Sequence, residues 1–136
     1  PSSRCVMRLD AAGAQKKLDR WQKIALSAAE QSGRGRVPEV RALGSYAEAV
    51  AEAAQADLPL FFYENEKNVR LADALSGCAP RSVSLMTGPE GGFELSEVEA
   101  AEQAGMRSCS LGPRILRCET APLCALSAAL FALGQL

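Results

Sequence analysis

The sequence predicts an α/β protein built on a mostly parallel sheet. Apolar runs of strand length alternate with stretches whose apolar residues recur at helical spacing, the order that buries parallel strands beneath connecting helices. Leu58-Pro59-Leu60-Phe61-Phe62-Tyr63 is continuously apolar, as a strand covered on both faces requires. Two later runs, 82–86 and 107–111, each lead into a Gly/Pro turn that opens a helix. The 136 residues suffice for one domain with a buried core. Aromatics make up only 5% of them, which points to a core of Ala, Leu, Val and Ile.

Taken in order, residues 19–31 form the first expected helix. Leu18, Trp21, Ile24, Ala25 and Ala28 share one face, with Trp21 expected in the core. Gly33, Gly35 and Pro38 end it. Residues 46–56 make an Ala-rich second helix, followed by the strand at 58–63. Residues 67–75 read as a helix with Leu71, Ala72 and Leu75 on one side, and 82–86 as the next strand. Ser96-Glu97-Val98-Glu99 has the pattern of a capping box, so a helix is expected from there to Ala104. A short strand at 107–111 and a loop at 112–118 follow. The last helix, 119–133, is apolar nearly all round and so should be buried on several sides. Pro122 is tolerated in its first turn. Burial in the domain plus a dimer interface would accommodate such a helix at the end of the chain.

The two turns are the most informative feature. Leu85-Met86-Thr87-Gly88-Pro89-Glu90-Gly91-Gly92-Phe93 is answered by Leu111-Gly112-Pro113-Arg114-Ile115-Leu116-Arg117-Cys118-Glu119-Thr120-Ala121. Open α/β sheets bind ligands in the crevice outside the carboxyl ends of their strands. Glycine there lets main-chain groups approach a ligand without a Cβ in the way. Glu90, Arg114, Arg117 and Glu119 add charge at the same rim. The first turn lacks the Gly-Lys-Ser/Thr ending of a P-loop and the Gly-x-Gly-x-x-Gly spacing of a dinucleotide fold, which disfavours a nucleotide-binding domain.

Composition excludes other classes. There is no histidine, and the five cysteines form no Cys-x-x-Cys pair, so no metal site is expected. Odd, scattered cysteines suit reduced thiols in a cytoplasmic protein, with Cys109 and Cys124 packing as small apolar groups. No membrane span or signal peptide is read from the sequence. The net charge of −1 argues against a self-sufficient nucleic-acid binder. Eleven of the fifteen cations are Arg, however, and Arg forks onto phosphate and stacks on bases.

The paired turns resemble those of the ribosomal RNA small-subunit uridine-N3 methyltransferases of the SPOUT superfamily. So does the upstream run Arg20-Trp21-Gln22-Lys23-Ile24 … Ala28-Ala29-Glu30-Gln31-Ser32-Gly33-Arg34-x-Arg36-Val37-Pro38, and so does Ser3-Arg4. The resemblance spans about residues 3–134. Cys118 departs from it, standing where the family usually carries Thr. The resemblance implies one SPOUT-type methyltransferase domain over 1–136, with a C-terminal trefoil knot that forms the S-adenosyl-L-methionine pocket and a homodimer that completes the active site. It also implies an N-terminal RNA-binding domain that this chain lacks, so a truncated chain is expected.

The chemistry so implied is methylation of uridine N3 in 16S ribosomal RNA. The enzyme must orient donor and acceptor and remove the N3 proton without histidine, the commonest general base. Glu90, Arg114, Arg117 and Glu119 are the catalytic candidates. An acidic residue in a helix's first turn also complements its dipole, so a structural role for Glu119 stands beside the chemical one. The cofactor is expected against Leu85, Thr87, Gly88, Pro89, Glu90, Gly91, Gly92, Leu111, Gly112, Ile115, Leu116 and Arg117. The ribosomal RNA is expected at Arg4, Arg20 and Arg34. Two alternatives stay open: a non-catalytic RNA-binding or ribosome-assembly module, and a SPOUT methyltransferase for another RNA position.

Overall fold

The computed structural model describes residues 11–41 and 44–136. The chain divides into two compact units, one within Met7–Gly44 and one containing Ser45–Leu136.

The smaller unit is dominated by helix α1 (Ala11–Gln31), which starts eight residues before the expected position 19. Ala and Lys propagate a helix without any apolar stripe, so periodicity alone misplaced its start. Its C-terminus closes on Gly33 in the left-handed region, with Arg34 N donating to Ala29 O at 2.9 Å. Gln22 then fastens the following segment: its amide donates to Pro38 O, and its oxygen accepts from Val40 N. The expected apolar face is not the buried one. Trp21 and Ile24 are exposed, and Ala29 is buried.

The larger unit holds α2 (Tyr46–Ala53), β1 (Leu58–Phe62), α3 (Leu71–Leu75), β2 (Val83–Met86), α4 (Leu95–Gln103), β3 (Arg107–Cys109) and α5 (Ala121–Ala132). The three strands form a parallel sheet in the order β2-β1-β3, as the alternating pattern predicted. β1 is central, and alternation along it builds two cores. Leu60 and Phe62 face α3 and α5, joining Leu71, Ala74, Leu75, Cys109, Ala125 and Ala129. Phe61 faces the other way, joining Val50 of α2, Phe93, Met106, and Val98 and Ala101 of α4. Helices therefore cover both faces, which is why β1 reads as an unbroken apolar run. Contrary to the expectation of an aromatic-poor core, Phe61, Phe62 and Phe93 are all buried, and the Phe61 and Phe93 rings pack tilted with centroids 4.4 Å apart.

Several boundaries differ from expectation for identifiable reasons. α3 is shorter because the Glu66 carboxylate accepts from Asn68 N and Val69 N. Val69 O and Leu71 N are in turn paired with Ser110. Helix α4 starts at Leu95, and Glu94 N donates to Glu97 Oε2 at 2.9 Å. The acceptor at N3 is thus Glu97, and Ser96 is not the N-cap. A capping box also stands at Ser45 and Glu48, at the start of α2. Tyr46 Oη donates to Glu97 O at 2.6 Å, linking α2 to α4. Helix α5 is not enclosed: only Ala125 and Ala129 are buried, while Leu123, Leu126 and Phe131 are 67, 50 and 74% exposed. Cys124 is exposed too, whereas Cys109 is fully buried.

Candidate functional site

The carboxyl ends of all three strands converge on one crevice of about 550 Å³ in the larger unit. That volume lies in the usual range for small-molecule sites. β1 contributes its last residue, Phe62, with Tyr63 and Glu64 just beyond it; the turn after β2 contributes residues 87–92; and the end of β3 with the segment leaving it contributes residues 109–119 and Ala121. The two turns, distant in sequence, meet because β2 and β3 flank the same central strand in parallel.

Glycine is required here by geometry. A Cβ on Gly88 would approach the Phe93 ring to 3.0 Å, and Phe93 is itself locked in the core. Gly92 sits at φ +68° with its amide donating to Pro89 O at 2.9 Å, closing the turn. The space a Cβ would take there is filled by the Glu64 carboxylate. Gly112, at φ +125°, reverses the chain after β3. Bare main chain thus lines two walls, as a site for an extended, partly polar ligand needs.

The charged groups lie at the rim. Cys118 Sγ donates to Glu119 Oε2 at 3.2 Å. That bond raises the thiol to about 11, with burial and the nearby Glu90 carboxylate adding to the shift. Glu119 is lowered, chiefly by its own main-chain amide and then by Cys118. At neutral pH the pair is therefore a neutral thiol donating to an ionised carboxylate. A carboxylate stabilised in this way is a poorer proton acceptor, so Glu119 suits orientation better than proton removal. Glu90 projects from the exposed tip of the first turn.

Of the residues singled out from sequence, 87–92, 111, 112, 114–117 and 119 all line this crevice. Leu85 does not: its position on β2 packs it against the core shared with α3 and α5. The end of the strand decides this: β2 stops at Met86, so Leu85 still belongs to the sheet whereas Thr87 already belongs to the turn. Arg20 and Arg34 are exposed in the smaller unit, and Arg4 lies outside the described residues. Glu64 was missed, although it follows directly on the strand most clearly marked in the sequence; the strand-end rule, applied to β1, would have found it. Among the described residues no group of three His, Cys, Asp or Glu is placed to hold a metal ion.

With this geometry in view, comparison with known proteins is decisive for the family. The RNA methyltransferase domain family matches residues 1–130. The chain belongs to that family. It is 41% identical over 132 residues to the ribosomal RNA small subunit methyltransferase E of Bacillus subtilis, covering 93% of this chain and 52% of the relative. It is 35% identical over 130 residues to the enzyme of that name from Mycobacterium tuberculosis, covering 93% and 49%. Among solved structures, a putative methyltransferase from Legionella pneumophila in complex with its bound cofactor SAM superposes with a TM-score of 0.86 at 34% identity, over 96% of this chain and 52% of the other. A ribosomal RNA small subunit methyltransferase E from Neisseria gonorrhoeae bound to S-adenosyl methionine gives 0.76 at 38% identity, over 96% and 52%. The chain thus spans about half the length of these relatives.

Proposed function

We propose that this chain is the catalytic part of an S-adenosyl-L-methionine-dependent methyltransferase acting on N3 of a uridine in small-subunit ribosomal RNA. The observation that carries the reading is the convergence of two glycine turns on one crevice, in a chain of this family whose structural relatives include proteins with the methyl donor bound. When bound, the donor supplies a methyl group on a positively charged sulfur, open to in-line attack. The bare main chain at Gly88 and Gly112 and the apolar side chains of Leu111, Ile115 and Leu116 fit such a ligand, and these residues would hold it.

The remaining work falls to the charged rim. Glu90, at the exposed tip of the first turn and on the crevice, is assigned to accept the uracil N3 proton. Arg114 and Arg117 are assigned to stabilise the negative charge that develops on the uracil as the proton leaves. Glu119, ionised and bonded to Cys118, orients this loop. A knotted C-terminal segment is part of this reading, with α5 the element that packs against α3 and β2. The exposed Leu123, Leu126 and Phe131 support a homodimer built on α5, since an apolar strip of that kind marks an interaction surface. No helix among the described residues is long and apolar enough to cross a membrane, and the reading places the protein in the cytoplasm with the ribosomal RNA.

Calorimetric titration with S-adenosylmethionine, with ATP as control, tests the cofactor assignment. Saturable binding of the methyl donor alone is expected, and absence of binding by the folded chain would refute it. Nucleoside analysis of ribosomal RNA treated with the protein then distinguishes N3-methyluridine from a methyl group at another position.

A further inference from the structure

The near-neutral charge of the whole chain conceals a division that follows the two structural units. Residues 11–41 carry seven Arg and Lys against three Asp and Glu, whereas residues 45–136 carry six against twelve. Three of the chain's four lysines lie on α1. Lys16, Arg20, Lys23 and Ser27 are spaced four, three and four residues apart, and at 100° per residue all four fall within one narrow arc of the helix. They span roughly 16 Å of it. All four are exposed, and together with Asp19 and Ile24 they border one shallow surface hollow.

Like charges three and four residues apart on a helix repel one another, so folding alone gives no reason for this stripe. Lys16, Arg20 and Lys23 are in no ion pair among the described residues. Asp19, which is spaced to neutralise Lys16 and Lys23, instead accepts from the Gln15 amide at 2.8 Å. Three cations and a hydroxyl in a line along one exposed helix face match a run of regularly spaced anions. They do not match a single small anion, which would need converging donors.

We infer that this face of α1 (Lys16, Arg20, Lys23 and Ser27) is where the chain grips RNA, through backbone phosphates and without reading bases. That the polyanion is RNA rests on the methyltransferase reading above. The stripe adds Lys16, Lys23 and Ser27 to Arg20 and does not involve Arg34. Each phosphate neutralised releases counterions, so affinity falls with salt by a slope of about 0.7–0.9 per contact.

The test is fluorescence anisotropy of a labelled 24-nucleotide RNA hairpin with this chain from 50 to 200 mM salt. The parent is compared with K16Q/R20Q/K23Q and with R81Q, which removes an exposed cation of the larger unit. Gln preserves helix propensity, and far-UV circular dichroism reports whether α1 is kept. The triple variant is expected to bind about 10-fold or more weakly at 50 mM salt, with a salt slope smaller by about 2, while R81Q matches the parent. Equal affinity and slope in the triple variant, equal losses in R81Q, no RNA binding by the parent, or displacement of RNA by polyglutamate as readily as by unlabelled RNA would each overturn the inference. Titration of the same variants with S-adenosylmethionine separates the two readings. Retained donor binding with unchanged RNA affinity sinks the α1 surface alone; loss of donor binding in the parent sinks the methyltransferase reading, and with it the RNA assignment.

Discussion

Substituting Gly92→Ala perturbs the first turn in two ways that can be measured apart. The backbone at φ +68° is one that an L residue occupies at a cost of about 1–2 kcal/mol. Part of this is offset because Ala narrows the unfolded ensemble by about 0.4–1 kcal/mol. The new Cβ also meets the Glu64 carboxylate, whose carbon lies 3.0 Å from it. Glu64 is exposed and flexible, so its headgroup can swing away at little cost to folding. The net expected loss is about 1 kcal/mol, or a fall of about 4 °C in Tm for a unit of this size. Glu64→Ala/Gly92→Ala should lose nearly the same amount relative to Glu64→Ala. Gly35→Ala, where φ is not left-handed and nothing lies within 4 Å, should be neutral or slightly stabilising. Thermal and urea unfolding followed by circular dichroism measure all four. Equal stability of Gly92→Ala and Gly35→Ala would refute the left-handed turn. A coupling between positions 64 and 92 above about 1 kcal/mol would refute a freely yielding Glu64.

Cys118 should stay protonated well into the alkaline range. At pH 8 a thiol at about 11 holds about 100-fold less thiolate than one at the ordinary 9.0. Iodoacetamide should therefore label Cys118 correspondingly slowly, with Glu119→Gln accelerating it; mass spectrometry of the alkylated peptides reports both rates. Tyr46→Phe removes the donor to Glu97 O and should cost about 1 kcal/mol in urea unfolding. Burial, helped by Glu97, pushes the Tyr46 phenol up to about 12. Its contribution is complete below the ordinary 10.0 and is lost as pH rises through 12, so the difference between Tyr46→Phe and the parent should shrink only there. On the proposed homodimer, Leu123→Lys with Leu126→Lys on the exposed face of α5 should shift sedimentation toward monomer and remove any concentration dependence of Tm, with the far-UV circular dichroism kept because neither side chain is buried in the fold.

Periodicity and turn chemistry were sufficient for the α/β class, the parallel sheet and the pair of turns at its carboxyl edge. The reason is that an unbroken apolar run such as 58–63 and a Gly/Pro turn such as 88–92 each express a local constraint on backbone and burial. Local pattern could not give the start of α1, whose Ala/Lys turns carry no apolar stripe, or the true N-cap of α4. In that helix two overlapping acidic patterns compete, and only the packed chain selects Glu97 over Glu99. Two further features needed the tertiary structure. Leu85 and Glu64 exchange roles once the strand ends are placed: the sheet keeps Leu85 against the core, while the parallel neighbours of β1 bring Glu64 onto Gly92. The charge of the chain is likewise a sum that the sequence reports as −1, yet the boundary that the fold sets between Gly44 and Ser45 leaves one unit basic and the other acidic. Composition is additive and blind to position, whereas contacts and fields depend on which residues the fold sets side by side.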